Sequence, residues 1–78
     1  MPTSLRIGPY RFFFYANDRD EPAHVHVQRE RNTAKFWIEP VRIERSGRFR
    51  APELLELQRI IRKNKTILLK AWDEYFNA

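Results

Sequence analysis

Two histidines, His24 and His26, stand one residue apart in Glu21-Pro22-Ala23-His24-Val25-His26-Val27, and the chain has no others. A valine-rich run of this kind reads as a strand, and side chains on a strand alternate faces. Both imidazoles therefore leave one face, and Val25 and Val27 leave the other. Imidazole is the side chain whose charge changes near neutral pH.

Four readings of the pair stay open. As acid and base, one imidazole takes a proton while the other gives one or orients the first. A metal-free ribonuclease needs little more than this plus cations for the phosphate, which Arg11, Arg29 or Lys35 could supply. As metal ligands the pair offers two donors, and a third has to come from Glu39, Asp20 or Glu21, because zinc prefers three or four. In RNA binding, the histidines and Trp37 stack on bases while arginines hold phosphates. In the structural reading, the imidazoles simply hydrogen-bond and shape a hairpin.

Charge favours an anionic partner. The net charge is +5, with 15 Lys and Arg against 10 Asp and Glu. Arginine dominates the excess, and its planar guanidinium suits phosphate and carboxylate. Arg42, Arg45, Arg48 and Arg50 form one cluster, and Arg59, Arg62 and Lys63 with Lys65 form a second. Solvated surface is the plain alternative for either cluster. There is no cysteine, which removes disulfides and thiolate chemistry. No apolar run approaches the ~20 residues of a membrane span. The first residues, Met1 to Leu5, carry no signal-peptide core. A cytoplasmic protein with no membrane partner is the expectation.

The elements that must position the histidines follow from the pattern. At 78 residues the chain reads as one domain, 1–78. Residues 5–15 read as a strand or hairpin with Gly8-Pro9 as a turn, and 17–23 as a polar loop. Residues 24–29 and 34–38 form strands around a turn at 30–33, and 41–45 reads as a short fourth strand. From Pro52 an apolar stripe recurs every three or four residues to about Phe76, interrupted only by Asn64. One long helix, or two broken near Asn64, is expected. The fold class is α+β, a small antiparallel sheet of three to four strands with the helix on one face. Val25, Val27, Phe36 and Ile38 face the helix, with Phe12, Phe14, Trp72 and Phe76 also in the core. The opposite face carries His24, His26, Gln28, Lys35, Trp37 and Glu39. Whether Tyr15 joins them depends on the parity of the first strand. The uninterrupted run Phe12-Phe13-Phe14-Tyr15 implies cover on both faces. A partner chain or a second copy is the expected cover on the far side.

Phe13-Phe14-Tyr15, Asn17, the Pro22-Ala23-His24-Val25-His26 segment, Ala34 to Trp37 and Leu68-Leu69-Lys70-Ala71-Trp72 resemble, in order, a family of small prokaryotic proteins. It is catalogued as a domain of unknown function, number forty-one sixty. Ala23 stands where that family's pattern has a second proline. The resemblance implies a small α+β protein associated with toxin–antitoxin gene pairs, with an antitoxin-like partner protein.

The leading expectation is therefore a toxin–antitoxin component acting on RNA, with no cofactor. His24 and His26 are the catalytic candidates, and Arg11, Tyr15, Arg29, Lys35 and Trp37 the substrate-binding ones. Two alternatives accompany it. One is a non-enzymatic module binding protein or nucleic acid through the basic clusters of Arg42, Arg45, Arg48, Arg50, Arg59, Arg62 and Lys63. The other is a small metal-binding protein using the histidine pair.

Overall fold

Period-two alternation dominates the first 45 residues, and the chain spends it on one sheet. In the computed structural model, which describes residues 3–77, five strands run antiparallel in the spatial order of the sequence. They are β1 (Thr3–Ile7), β2 (Tyr10–Phe13), β3 (His24–Arg29), β4 (Asn32–Ile38) and β5 (Val41–Arg45). Two helices follow, α1 (Ala51–Lys63) and α2 (Lys65–Asn77). The arrangement is α+β, as the residue pattern implies. The sheet has one strand more than the three to four expected, because residues 5–15 take the hairpin reading, with one strand on either side of the Gly8-Pro9 turn. Gly8 takes a φ of 55°, a conformation glycine adopts without penalty. Met1 and Pro2, part of the segment read as lacking a signal peptide, lie outside the described residues.

Register fixes the faces. Phe12 lies opposite Val27, Val25 opposite Phe36, and Phe36 opposite Ile43. Phe12, Phe14, Val25, Val27, Ala34, Phe36 and Ile38 are buried against Leu57, Ile60, Ile61 and Leu68 of the helices. Phe49, in the connection from β5 to α1, also plugs this core and is 6% exposed. Sequence periodicity gives no sign of it, since Phe49 belongs to no regular element. Trp72 and Phe76, expected as core, are only partly buried and pack at its margin, where both rings meet Phe14.

Asn64 does break the helix. Its side-chain amide donates to the Ile60 carbonyl at 2.8 Å, and its backbone N–H donates to the same oxygen at 3.0 Å, so Asn64 closes the end of α1. Its own carbonyl accepts from Leu68 N at 2.9 Å, so α2 begins where α1 stops.

A polar clasp fastens α1 to the sheet. Glu53 accepts from Arg29 of β3 at 2.6 and 2.8 Å and from the Tyr10 hydroxyl of β2 at 2.7 Å. The Arg29 and Tyr10 hydrogen bonds hold the Glu53 carboxyl below its ordinary 4.5. A carboxyl depressed by folding contributes stability above the unfolded value, and loses it as pH falls through the folded value. Melting temperature should therefore drop on acidification below about 4.5, and Glu53→Gln should flatten part of that limb while lowering the melting temperature at neutral pH. Thermal melts across pH check this; parallel curves for the two proteins would refute the clasp.

Candidate functional site

Both histidines leave the sheet face opposite to Val25 and Val27, as alternation requires, and His24 at the end of β3 also meets Trp72 of α2. Phe13 of β2 lies opposite His26, and His24 lies opposite Trp37 of β4. Tyr15 joins this face, its ring 4.5 Å from that of His26. The loop after β2 then folds back over the pair. Its 3-10 turn, Ala16–Asp20, is held by Tyr15 N–H donating to Asp18 Oδ2 at 2.8 Å and by Arg19 donating to the Phe76 carbonyl at 2.8 Å. Glu21 at its end accepts from Lys35 at 2.6 Å.

This fold-back drives Asp18 under the histidines. Its Oδ2 lies 3.1 Å from His24 Nε2 and 3.0 Å from His26 Nε2, and the three donor atoms fall within 4.8 Å of one another. All three residues are buried: Asp18 9%, His24 0% and His26 8% exposed. Aromatic rings wall the site. His24 meets Trp37 and Trp72 at 5.5 and 5.1 Å, and His26 stacks on Phe13 at 5.5 Å.

Hydrogen bonding separates the two imidazoles. His26 Nε2 bonds to Asp18. His24 Nδ1 bonds to the Pro22 carbonyl at 2.9 Å, and a carbonyl oxygen only accepts, so Nδ1 carries the proton. His24 Nε2 makes no hydrogen bond, although it is buried and faces an oxygen of Asp18. Burial would raise the Asp18 carboxyl, but the Tyr15 N–H and the neighbouring imidazoles outweigh it and hold it below its ordinary value. His26 lies below its ordinary value because burial disfavours its charged form more than Asp18 favours it.

The sequence-derived residues divide between places. His24, His26, Tyr15, Lys35, Trp37 and Arg11 share the outer face, with Lys35 Nζ 4.9 Å from the Trp37 ring centre and Arg11 4.3 Å over the Phe13 ring. Arg29, grouped with them as a phosphate ligand, points to the helix side and is engaged by Glu53. Arg42 lies opposite Trp37 and Arg45 opposite Lys35, on the outer face. Arg48 and Arg50 sit in the exposed β5–α1 connection. Arg59, Arg62 and Lys63 belong to α1, in the helical layer, and the structure does not join them to the histidines. Asp20, Glu21 and Glu39, the acids weighed as third ligands, are exposed. Asp18 takes that place, and the sequence reading overlooked it. Its signal is local: an acid three residues after an extended Tyr15 can accept that residue's N–H, which turns the loop inward.

Phe13 corrects one expectation. It is 1% exposed within the single chain, packed by Arg11, Tyr15 and His26, so the aromatic run needs no partner to cover it. Among the described residues, no helix is long and apolar enough to cross a membrane.

No curated protein and no solved structure matches the chain. A family model does, over residues 10–73, a span that begins at β2 and takes in the turn of Asp18, both histidines and most of α2. The chain therefore belongs to the family described as Domain of unknown function (DUF4160).

Proposed function

We propose that the protein is an RNA-binding component of a toxin–antitoxin-type pair, and that it engages a single strand through the outer face of its sheet. The make-up of that face is the principal support. Directly opposed residues share a face, and three cross-strand rows run across this one. They are Arg6–Arg11–Gln28–Thr33, Phe13–His26–Lys35–Arg45 and His24–Trp37–Arg42. Four cations, Arg6, Arg11, Arg42 and Arg45, thus stand on one surface with Tyr15, which is 37% exposed, and Trp37, which is half-buried, while Lys35 in the same rows is buried and held by Glu21. Cations that track a backbone, combined with aromatic rings on which bases stack, are the recurring solution for single-stranded nucleic acid. The toxin–antitoxin association implied by the sequence resemblance fits an RNA target.

Burial favours binding over cleavage. General acid–base chemistry requires an imidazole within hydrogen-bond reach of the substrate, and the His24 ring has no exposed surface. The histidines instead hold the platform's shape.

Replacing Arg42, Arg45 and Arg48 together by alanine should weaken binding of a single-stranded RNA oligonucleotide. Each phosphate left without its arginine should lower the salt slope by about 0.7. Fluorescence anisotropy across a salt series reads both effects. Unchanged affinity and slope would overturn the RNA reading, and binding to a copurified protein by the same variant would move the surface to a protein partner.

A further inference from the structure

We infer that Asp18, His24 and His26 form a binding site for one divalent transition-metal ion of the zinc type, held by the two Nε2 atoms and the Asp18 carboxylate. The inference does not rest on RNA binding, although His24 and His26 stand in two of the rows of that face.

The orphaned nitrogen is the starting point. His24 donates through Nδ1 to Pro22, so its Nε2 presents a lone pair. That lone pair is buried, makes no hydrogen bond, and faces a carboxylate oxygen at 3.1 Å. Two acceptors aimed at each other in a buried site repel, and a polar atom buried without a partner is costly. A cation between them removes both penalties. An added proton on His24 removes them too, and metal titration separates the two solutions.

The Asp18 separations fit a metal as well as a proton. Two atoms bound to one ion at about 2.0–2.1 Å stand about 2.9–3.4 Å apart when the angle between them is about 90–109°. The Asp18–His24 and Asp18–His26 separations, 3.1 and 3.0 Å, fall in that interval. The outer shell is in place as well. A metal-ligating histidine generally gives its other N–H to a carbonyl or carboxylate, which fixes tautomer and ring direction. His24 does this through Pro22, with Glu21 Oε1 a further 3.7 Å from Nδ1 and itself held by Lys35. The ligating carboxylate is fixed in turn by the Tyr15 N–H.

Ligand chemistry sets the class. Two imidazoles and one carboxylate, with no thiolate in the chain, suit zinc, cobalt, nickel or ferrous iron over magnesium or calcium, which take oxygen. Three protein ligands leave at least one coordination position to water or another small donor. Binding at His26 Nε2 moves that ring's proton to Nδ1, so the neutral imidazole keeps its proton count and protons compete with the metal only where an imidazole is charged.

The test uses the untagged full chain, stripped with a chelator and titrated with Co2+. Visible absorption should saturate at one equivalent per chain, Zn2+ should displace the cobalt, and Mg2+ should not. Asp18→Asn, which keeps the Tyr15 hydrogen bond, and His24→Gln should each weaken binding by at least about tenfold. Because either variant could unfold, the wild type carries a second readout. The 15N resonances of both Nε2 atoms should shift together on one equivalent of Zn2+. An absence of one-to-one saturation, variants that bind like wild type, or unmoved Nε2 resonances would each overturn the site and leave a protonated His24 as the solution.

Discussion

Phe13→Ala should cost about 3–5 kcal/mol, as much as a substitution in the main core, although Phe13 lies on the opposite side of the sheet. The ring is 1% exposed. It supports the Arg11 guanidinium at 4.3 Å, meets Tyr15 edge-on at 5.2 Å and stacks on His26 at 5.5 Å. Removing it opens a cavity and deletes ring pairs that are worth about 0.5–1.5 kcal/mol each beyond area burial. Domains of this size have roughly 4–12 kcal/mol in total, so little stability would remain. Urea denaturation should show a lower midpoint at an unchanged slope. A wild-type midpoint would mean that Phe13 is covered by something other than its own chain. His26 should lose its fixed ring orientation in the same variant, which would show as averaged imidazole resonances.

Gly47→Ala should be the most damaging substitution of a single hydrogen by a methyl group. Gly47 has a φ of 59°, and a Cβ there would lie 2.0 Å from the Thr33 carbonyl oxygen. That oxygen belongs to the backbone of β4 and cannot swing aside as a side chain would. The left-handed conformation costs a non-glycine residue about 1–2 kcal/mol, and forcing atoms into a packed contact typically adds about 1–3. Gly8 supplies the control. Its φ is 55°, and a Cβ there meets nothing within 4 Å. Gly8→Ala should therefore carry only the conformational cost. Equal midpoints for the two variants would show that backbone strain alone governs both turns, and that the β5–α1 connection gives way to relieve the clash with Thr33.

The sheet and its faces were legible because period-two alternation is a local property. Val25, Val27, Phe36 and Ile38 turn inward, and His24, His26, Lys35 and Trp37 outward, as alternation alone requires. The break at Asn64 was legible for a related reason, since a polar residue on an apolar stripe must satisfy itself against the backbone, and Asn64 does so at Ile60. What escaped was set by tertiary folding-back. Asp18 sits in a segment read as a polar loop, and nothing in its composition says that the loop closes over the sheet. Arg29 escaped in the opposite sense. Its place at the end of β3 put it beside the histidines in sequence, while strand parity sent it to Glu53 on the other face. The cover over Phe13 was misjudged because it comes from neighbouring side chains on its own face, Arg11, Tyr15 and His26, and not from a further layer.

The order β1-β2-β3-β4-β5 has a kinetic consequence. Every strand pairs with its neighbour in sequence, so no pairing waits on a distant segment, and low contact order speeds folding. Tyr15, Asp18, His24 and His26 all belong to the single connection between β2 and β3 and its flanks. Closing a loop of about ten residues takes on the order of 10–100 ns, and a hairpin forms in about 1–10 μs. The carboxylate and the two imidazoles can therefore come together while α1 and α2 are still undocked. A ligand for that cluster would find its site in a chain that has not finished folding, and could act as a nucleus for the sheet rather than a late addition to it.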